Sequence, residues 1–125
     1  MTDDPFLRLH HLQLAIPRGG EPASRDYWVG LLGLTEVAKP AAMAARGGCW
    51  FRSDNGDFEV HMGVEEPFVP ARKAHPAMIV DDVDDVATRL LEAGHDVRWS
   101  QEIPGTRRFH TDDPFGNRLE IIAVG

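Results

Sequence analysis

The sequence has a single cysteine and no long apolar run, and each of these shortages excludes a class of protein. One cysteine, Cys49, cannot form an internal disulfide, and its position beside Trp50 indicates a buried thiol rather than a reactive one. No apolar stretch approaches the roughly 20 residues that a membrane helix needs, and residues 1–5 are acidic rather than basic. The sequence therefore predicts a cytoplasmic protein with no membrane partner.

Positive charge is also scarce, since 13 lysines and arginines face 20 aspartates and glutamates and the formal net charge is -7 at pH 7. A negatively charged surface repels phosphate backbones, and no basic stripe interleaved with aromatics offsets that repulsion. We therefore expect a small-molecule partner and no nucleic acid. A chain of 125 residues is too short for two ordinary domains, so residues 1–125 are predicted to form a single domain.

The first half of the sequence predicts one strand, one helix and three further strands. Alternating apolar residues predict a strand at 10–16, which Pro17 ends. Apolar residues at helical spacing between Pro22 and Gly33 predict a helix at 22–32. Further strands are expected at 35–38, 48–52 and 57–64, the last two forming a hairpin around the turn at 54–56.

The second half repeats this order. A strand is predicted at 74–80, followed by a helix that Asp82 caps and Gly94 ends. The remaining strands are expected at 97–100, 106–111 and 119–124. The sequence thus predicts an α+β fold of two βαβββ modules, at about 8–64 and 74–124, joined by a polar linker at 65–73. Arg72 and Lys73 in this linker could bind an anionic substrate, although solvated linker charges are common.

Three side chains at corresponding places in the two halves could bind a divalent metal. His11 opens the first copy of the repeat, His75 opens the second, and Glu120 lies within the apolar last strand. Imidazole and carboxylate groups that converge from different elements are typical metal ligands, and a buried carboxylate needs a partner. A single strand histidine is more often structural, and a strand glutamate usually faces water. Their agreement with the repeat favours a metal site.

Four runs, at 11–16, 26–34, 74–80 and 113–120 (HLQLAI, DYWVGLLGL, AHPAMIV and DPFGNRLE), resemble the vicinal oxygen chelate superfamily of glyoxalases, bleomycin-resistance proteins and extradiol dioxygenases. The resemblance covers nearly the whole chain. It implies that the two modules form a curved eight-stranded sheet around a cleft. It also implies metal ligands from the first and last strand of each module, and His11, His75 and Glu120 match three of these positions.

The fourth ligand position, in the strand at 57–64, is open between two residues. Glu59 and His61 are two apart and so share one face of the strand. A match of residues 58–60 to residues 119–121 favours Glu59, and the resemblance agrees, whereas His61 could replace it or contact the substrate. His110 could bind substrate or transfer a proton, although an exposed strand histidine is the commoner case.

The resemblance implies a lyase or isomerase that uses one divalent ion (Zn, Ni, Mn, Co or Fe) and acts on a small substrate with vicinal oxygens. Glu120 or Glu59 would then move the proton alpha to a carbonyl. The alternatives are a metal-free protein that sequesters a ligand, as bleomycin-resistance proteins do, a dioxygenase, or a fosfomycin-type transferase. Small members of the superfamily commonly pair, so we also expect a homodimer.

Overall fold

Each half of the chain builds one mixed four-stranded sheet in the computed structural model, which describes residues 3–125. The first sheet has the order β1-β4-β3-β2 and the second the order β5-β8-β7-β6. The strands are β1 (His11–Ile16), β2 (Thr35–Val37), β3 (Cys49–Arg52), β4 (Glu59–Val64), β5 (Ala77–Val80), β6 (Arg98–Ser100), β7 (Arg108–Asp112) and β8 (Arg118–Ala123). In both sheets the first strand pairs parallel with the last and the other pairs are antiparallel. The predicted βαβββ repeat is confirmed, and the two sheets form a curved arrangement.

Helices follow the first strand of each half. The first, α1 (Glu21–Arg25), continues as a π-helical turn at Asp26–Leu31, within one residue of the helix predicted at 22–32. A short helix that was not predicted, α2 (Ala41–Ala44), begins after Pro40 in an alanine-rich run, as the helix propensity of alanine favours. The third, α3 (Val83–Glu92), begins at the Asp82 cap as predicted. Within residues 3–125, no helix has the length and apolar character needed to cross a bilayer.

The largest boundary difference lies at β5. The sequence predicts a strand from residue 74, but β5 begins at Ala77, so His75 lies just before the strand. Pro76 lacks the N–H that a ladder pair requires, which accounts for the later start. Its carbonyl still accepts a hydrogen bond of 3.0 Å from the Glu120 N–H, so the segment that carries His75 runs alongside β8.

The hydrophobic core lies on one face of both sheets, between the strands and the helices. Trp28 and Leu90 from the helices pack with Phe51 and Phe109 from the strands, and all four side chains are fully buried. Cys49 is also buried as predicted, and burial raises the pKa of its thiol to about 11. Because strand residues alternate, the opposite face of each sheet carries the polar side chains. We call it the polar face.

Asn117 ties the two halves and the linker together. Its side chain is fully buried, and its Nδ2 donates to the Ala15 carbonyl at the end of β1 (2.9 Å). Its Oδ1 accepts from the Ala71 N–H (2.9 Å), while the Ala71 carbonyl accepts from the Arg118 N–H (2.8 Å). The linker at 65–73 is therefore fixed against the β7–β8 turn.

Candidate functional site

Three side chains on the polar face of the second sheet converge into a candidate metal site. His75, His110 and Glu120 each offer one ligand atom, and these atoms lie within 4.8 Å of one another. In the part of the chain that the structure describes, residues 3–125, they are the one group of three or more metal-ligating side chains that meets this distance. We call this group the β8 cluster.

Glu120 is the centre of the β8 cluster. Its Oε1 lies 3.0 Å from His75 Nε2 and 3.3 Å from His110 Nε2, and its Oε2 accepts a hydrogen bond of 2.8 Å from Arg108 Nη1. Burial disfavours the charged carboxylate, but the hydrogen bonds from Arg108 and His75 outweigh this effect and lower the pKa of Glu120. The carboxylate is therefore ionised at neutral pH, with one oxygen facing the two imidazoles.

The two imidazoles of the β8 cluster approach Glu120 from different elements. His75 lies on the segment before β5, where its Nδ1 donates to the Lys73 carbonyl (2.9 Å), so Nε2, which faces Glu120 Oε1, is the nitrogen that would bind a metal after losing its proton. His110 lies on β7, directly opposite Glu120 in the antiparallel register. Burial, followed by the charge of Arg118, lowers the pKa of His110. At neutral pH His110 is therefore neutral and able to bind a cation.

A second cluster lies on the polar face of the first sheet. The ring of His61 stacks between those of His11 and Trp50, each with a centroid distance of 4.0 Å. The Glu59 carboxylate accepts hydrogen bonds from His61 Nε2 (2.8 Å) and Arg52 Nη2 (2.9 Å). Both bonds lower the pKa of Glu59, and the bond from His61 has the larger effect. Burial in turn lowers the pKa of His61, and Glu59 opposes this effect. We call this group the β4 cluster.

The strand register makes His61 the counterpart of Glu120. On β4, His61 pairs with Gln13 of β1, and on β8, Glu120 pairs with Ala77 of β5. Residue 77 follows residue 13 by 64 positions, as residue 75 follows residue 11, so the two pairs are equivalent in the repeat. The match of residues 58–60 to residues 119–121 is two positions away from this register. That match supports Glu59 as the fourth ligand, whereas the register supports His61.

The structure therefore gathers the predicted site residues into two groups rather than one. His75, His110 and Glu120 meet in the β8 cluster, and His11, Glu59 and His61 lie in the β4 cluster. The side chains that most affect the pKa of Glu120 all belong to the second half of the chain. Arg72 belongs to neither cluster and lines a pocket with Arg98 and Arg118. The predicted four-ligand set of His11, Glu59, His75 and Glu120 is thus divided between the two sheets.

Sequence reasoning missed Arg108 and Arg52, the two arginines that hold the carboxylates of these clusters. Arg108 is 8% exposed, which is unusual for an arginine and indicates a specific buried partner. The sequence did contain a signal for Arg108: it lies two residues before His110 on β7, so the two side chains must share one face of the strand. Arg52 lies opposite Glu59 in the β3–β4 pair, a relation that only the register reveals.

The β8 cluster fits a divalent metal by the chemistry and spacing of its donors. Ligands at about 2.0–2.2 Å from a common ion lie roughly 3–4.4 Å apart, and the two measured Glu120–histidine separations fall at the short end of this range. Two imidazoles and one carboxylate also form a recognised donor set for Zn, Fe and related ions. With Arg108 on Oε2, Glu120 would bind a metal through Oε1 alone.

Comparison with known proteins connects this geometry to one family. The family model of the Glyoxalase/Bleomycin resistance protein/Dioxygenase superfamily matches residues 8–121. A solved glyoxalase family protein from Bacillus anthracis is 36% identical, with 99% of this chain and 100% of that chain covered and a TM-score of 0.92. No curated protein gives a significant match.

More distant solved structures share the fold. An antibiotic-binding protein from Streptomyces is 19% identical, with 98% of this chain and 99% of that chain covered and a TM-score of 0.76. A lactoylglutathione lyase from Agrobacterium tumefaciens is 18% identical, with 96% of each chain covered and a TM-score of 0.72. The match over residues 8–121 and the Bacillus anthracis relative place the chain in the Glyoxalase/Bleomycin resistance protein/Dioxygenase superfamily.

Proposed function

We propose that the protein is a divalent-metal-dependent lyase or isomerase of glyoxalase type that acts on a small substrate with vicinal oxygens. The observation that carries this proposal is the β8 cluster, in which His75, His110 and Glu120 present three ligand atoms within 4.8 Å of one another. A sequestering protein has no need of such a set. The Agrobacterium tumefaciens neighbour that shares the fold is a lactoylglutathione lyase, so this fold can carry a reaction of the proposed class.

In this proposal His75 and Glu120 would hold the ion, and His110 would act as a third ligand or as a group that moves a proton. When bound, the ion would polarise the vicinal oxygens of the substrate and stabilise negative charge that develops next to them. Arg108 keeps the Glu120 carboxylate oriented by holding Oε2. The Lys73 carbonyl does the same for His75 through Nδ1.

Proton transfer alpha to the substrate carbonyl falls to Glu120 or Glu59. Both carboxylates have a lowered pKa and are ionised at neutral pH, but Glu120 would have to release Oε1 from the ion or Oε2 from Arg108 before it accepted a proton. Glu59 is already hydrogen-bonded to His61, which provides a route by which the accepted proton can leave.

We further propose that a homodimer unites the two clusters, the β4 cluster of one chain facing the β8 cluster of the other. β1 and β5 are edge strands of their sheets, and large apolar side chains are exposed beside them, with Leu9 84% and Ile79 69% exposed. Exposed apolar surface at unpaired strand edges favours association. His11 and His61 would then complete the coordination begun by His75 and Glu120.

Metal analysis of untagged protein tests both proposals. After removal of metal with a chelator and dialysis against Zn²⁺ or Mn²⁺, we expect about one ion per chain. The double variant His11→Ala/His61→Ala leaves the β8 cluster intact but is expected to lose most of this metal, because half of the coordination is removed. Elemental analysis measures the metal content, and light scattering measures whether the protein is a dimer.

Two results would contradict these proposals. A monomer at micromolar concentration, or full metal content in the double variant, would mean that the β8 cluster of a single chain is the complete site. If the protein takes up no metal, the proposed metal-dependent enzyme is ruled out.

The second candidate is a metal-free protein that sequesters a small ligand. The observation that favours it is that Glu120 already has partners without a metal, with the Arg108 guanidinium on one oxygen and the two imidazoles beside the other. The flat stack of Trp50 on His61 would also suit a planar ligand. The neighbour from Streptomyces is described as antibiotic-binding. In the metal analysis this candidate predicts no bound ion at any step.

A further inference from the structure

A pocket of about 600 Å³ opens on the second sheet next to the β8 cluster. Its lining consists of Arg72, Arg98, Asp112, Gly116 and Arg118. Arg118 is two residues before Glu120 on β8, so the two side chains share the polar face and their Cα atoms are about 7 Å apart. The pocket and the candidate metal site are thus neighbours on one surface.

The charge of this pocket is opposite to that of the whole protein. Three arginines face one carboxylate there, although the chain carries a formal net charge of -7. Asp112 is engaged by Arg98 in a two-pronged ion pair, with N–O distances of 3.0 and 3.1 Å. Among residues 3–125, no ion pair with a carboxylate is found for Arg72 or Arg118. Two guanidinium groups are therefore available to a ligand.

Arg118 shows a further sign of a missing partner. Its Nε is buried and has no hydrogen-bond partner within the described part of the chain. A buried donor without a partner loses the hydrogen bond that it makes to water in the unfolded chain, so such groups in native proteins usually meet a ligand or a water molecule. A ligand that enters the pocket would contact this guanidinium.

The fold also fixes Arg72 at the rim of the pocket. The preceding residue, Ala71, is hydrogen-bonded through both its N–H and its carbonyl to Asn117 and Arg118. Pro70 crosses directly over Gly116, where a Cβ would lie 3.4 Å from the proline ring and where φ is +94°. The positive φ favours glycine, whereas the 3.4 Å approach to the proline is an ordinary van der Waals contact. This contact and the Ala71 hydrogen bonds hold the linker backbone over the β7–β8 turn, so the fold sets the position of Arg72.

We propose that this pocket is an anion subsite, in which Arg72 and Arg118 bind a carboxylate or phosphate group of the substrate. Guanidinium groups present paired donors that match such groups and bind them through charge-assisted hydrogen bonds. The inference rests on the proposed function: because Glu120 and Arg118 share one face of β8, a small substrate whose vicinal oxygens meet the β8 cluster can place an anionic group in the adjacent pocket. The substrate class is therefore a small 2-hydroxy or 2-oxo compound with a distal carboxylate or phosphate.

Anion binding is measurable without metal or substrate, by NMR titration of metal-free protein with inorganic phosphate. We expect saturable shifts of the arginine Nε–H signals of Arg72 and Arg118. Arg118→Gln should weaken phosphate binding by about 10-fold or more, and Arg72→Gln by about 3- to 10-fold. Lys73→Gln is the matched control, because Lys73 is exposed on the same linker, carries the same charge and does not line the pocket. It should bind phosphate as the wild type does.

The outcomes separate this inference from the proposed function. Absence of saturable shifts, or equal weakening by Lys73→Gln and Arg72→Gln, overturns the subsite, whatever the metal content of the protein. Arg72 is exposed, so its replacement does not threaten the fold and the comparison stays valid even if Arg118→Gln fails to fold. Phosphate binding that persists in Glu120→Gln, together with loss of metal there, supports two distinct subsites. Phosphate binding in a protein that takes up no metal supports the anion subsite and removes only the proposed enzyme.

Discussion

Replacing Glu120 by glutamine is expected to weaken binding of a divalent metal by about 100-fold or more and to abolish turnover of the substrate. The amide keeps the shape of the side chain but removes the charge that lies 3.0 Å from His75 Nε2 and 3.3 Å from His110 Nε2. It also removes a candidate base. Competition with a fluorescent chelator at neutral pH measures the metal affinity.

The same change breaks a buried ion pair, and that effect needs its own control. Glu120 and Arg108 are each about 10% exposed in their side chains, and loss of one partner from such a pair costs about 3–5 kcal/mol of stability. Arg108→Gln breaks the same pair but keeps the ligand, so we expect a similar loss of stability and only about a 10-fold loss of metal affinity. His110→Ala should weaken metal binding by about 10- to 100-fold. If Arg108→Gln weakened it as much as Glu120→Gln, the ion pair rather than the ligand would explain the effect.

The fold could be predicted from the sequence because local patterns and the repeat agree. The Asp82 cap, the apolar face of the helix after it and the turn at 113–117 each belong to one short segment, and the structure contains all of them. The start of β5 could not be placed, because Pro76 interrupts a run that alternation alone extends to residue 74. The helix α2 was missed because four residues carry too little periodicity to be distinguished from a loop.

The candidate site was only partly predictable, because its geometry depends on pairs between distant strands. The residues of the β8 cluster were singled out one by one, but their meeting depends on the β7–β8 register, which sets His110 opposite Glu120. A choice between Glu59 and His61 as the fourth ligand likewise needs the β1–β4 register, since both residues share one face of β4. Arg108 and Arg52 escaped notice for a physical reason: a lone arginine in a strand predicts a solvated charge until its partner is known.

Replacing Asn117 by alanine is expected to lower the free energy of unfolding by about 3–5 kcal/mol and the melting temperature by about 10–20 °C. The asparagine is 1% exposed and its side chain bonds to the Ala15 carbonyl, the Ala71 N–H and the Asp113 carboxylate. Alanine leaves all three of these groups without that partner, in a place that water reaches poorly. Thermal and denaturant unfolding of metal-free protein measures the loss.

Asn55 supplies the matched control, since it is the turn asparagine of the β3–β4 hairpin in the first half. Its side chain accepts hydrogen bonds from the Ser53 hydroxyl and the Asp57 N–H, but the residue is exposed. Water can replace both bonds, so Asn55→Ala should cost about 1 kcal/mol or less. Equal losses at the two positions would show that Asn117 acts as an ordinary turn residue rather than as the junction of the linker and both sheets.

The pH dependence of the Asn117→Ala deficit gives a sharper test, because it follows from Asp113. Burial raises the pKa of this carboxyl, and the hydrogen bond from the Asn117 side chain is the largest of the effects that oppose it. A carboxyl whose folded pKa lies above its unfolded value stabilises the protein when protonated, and this stability is lost as the pH rises through the folded pKa.

Without Asn117 the pKa of Asp113 rises further, so the ionised carboxylate costs the variant more than it costs the wild type. The difference in unfolding free energy between the two proteins should therefore shrink as the pH falls from neutrality towards the raised pKa. A deficit that stays constant over this range would mean that Asn117 does not stabilise the Asp113 carboxylate.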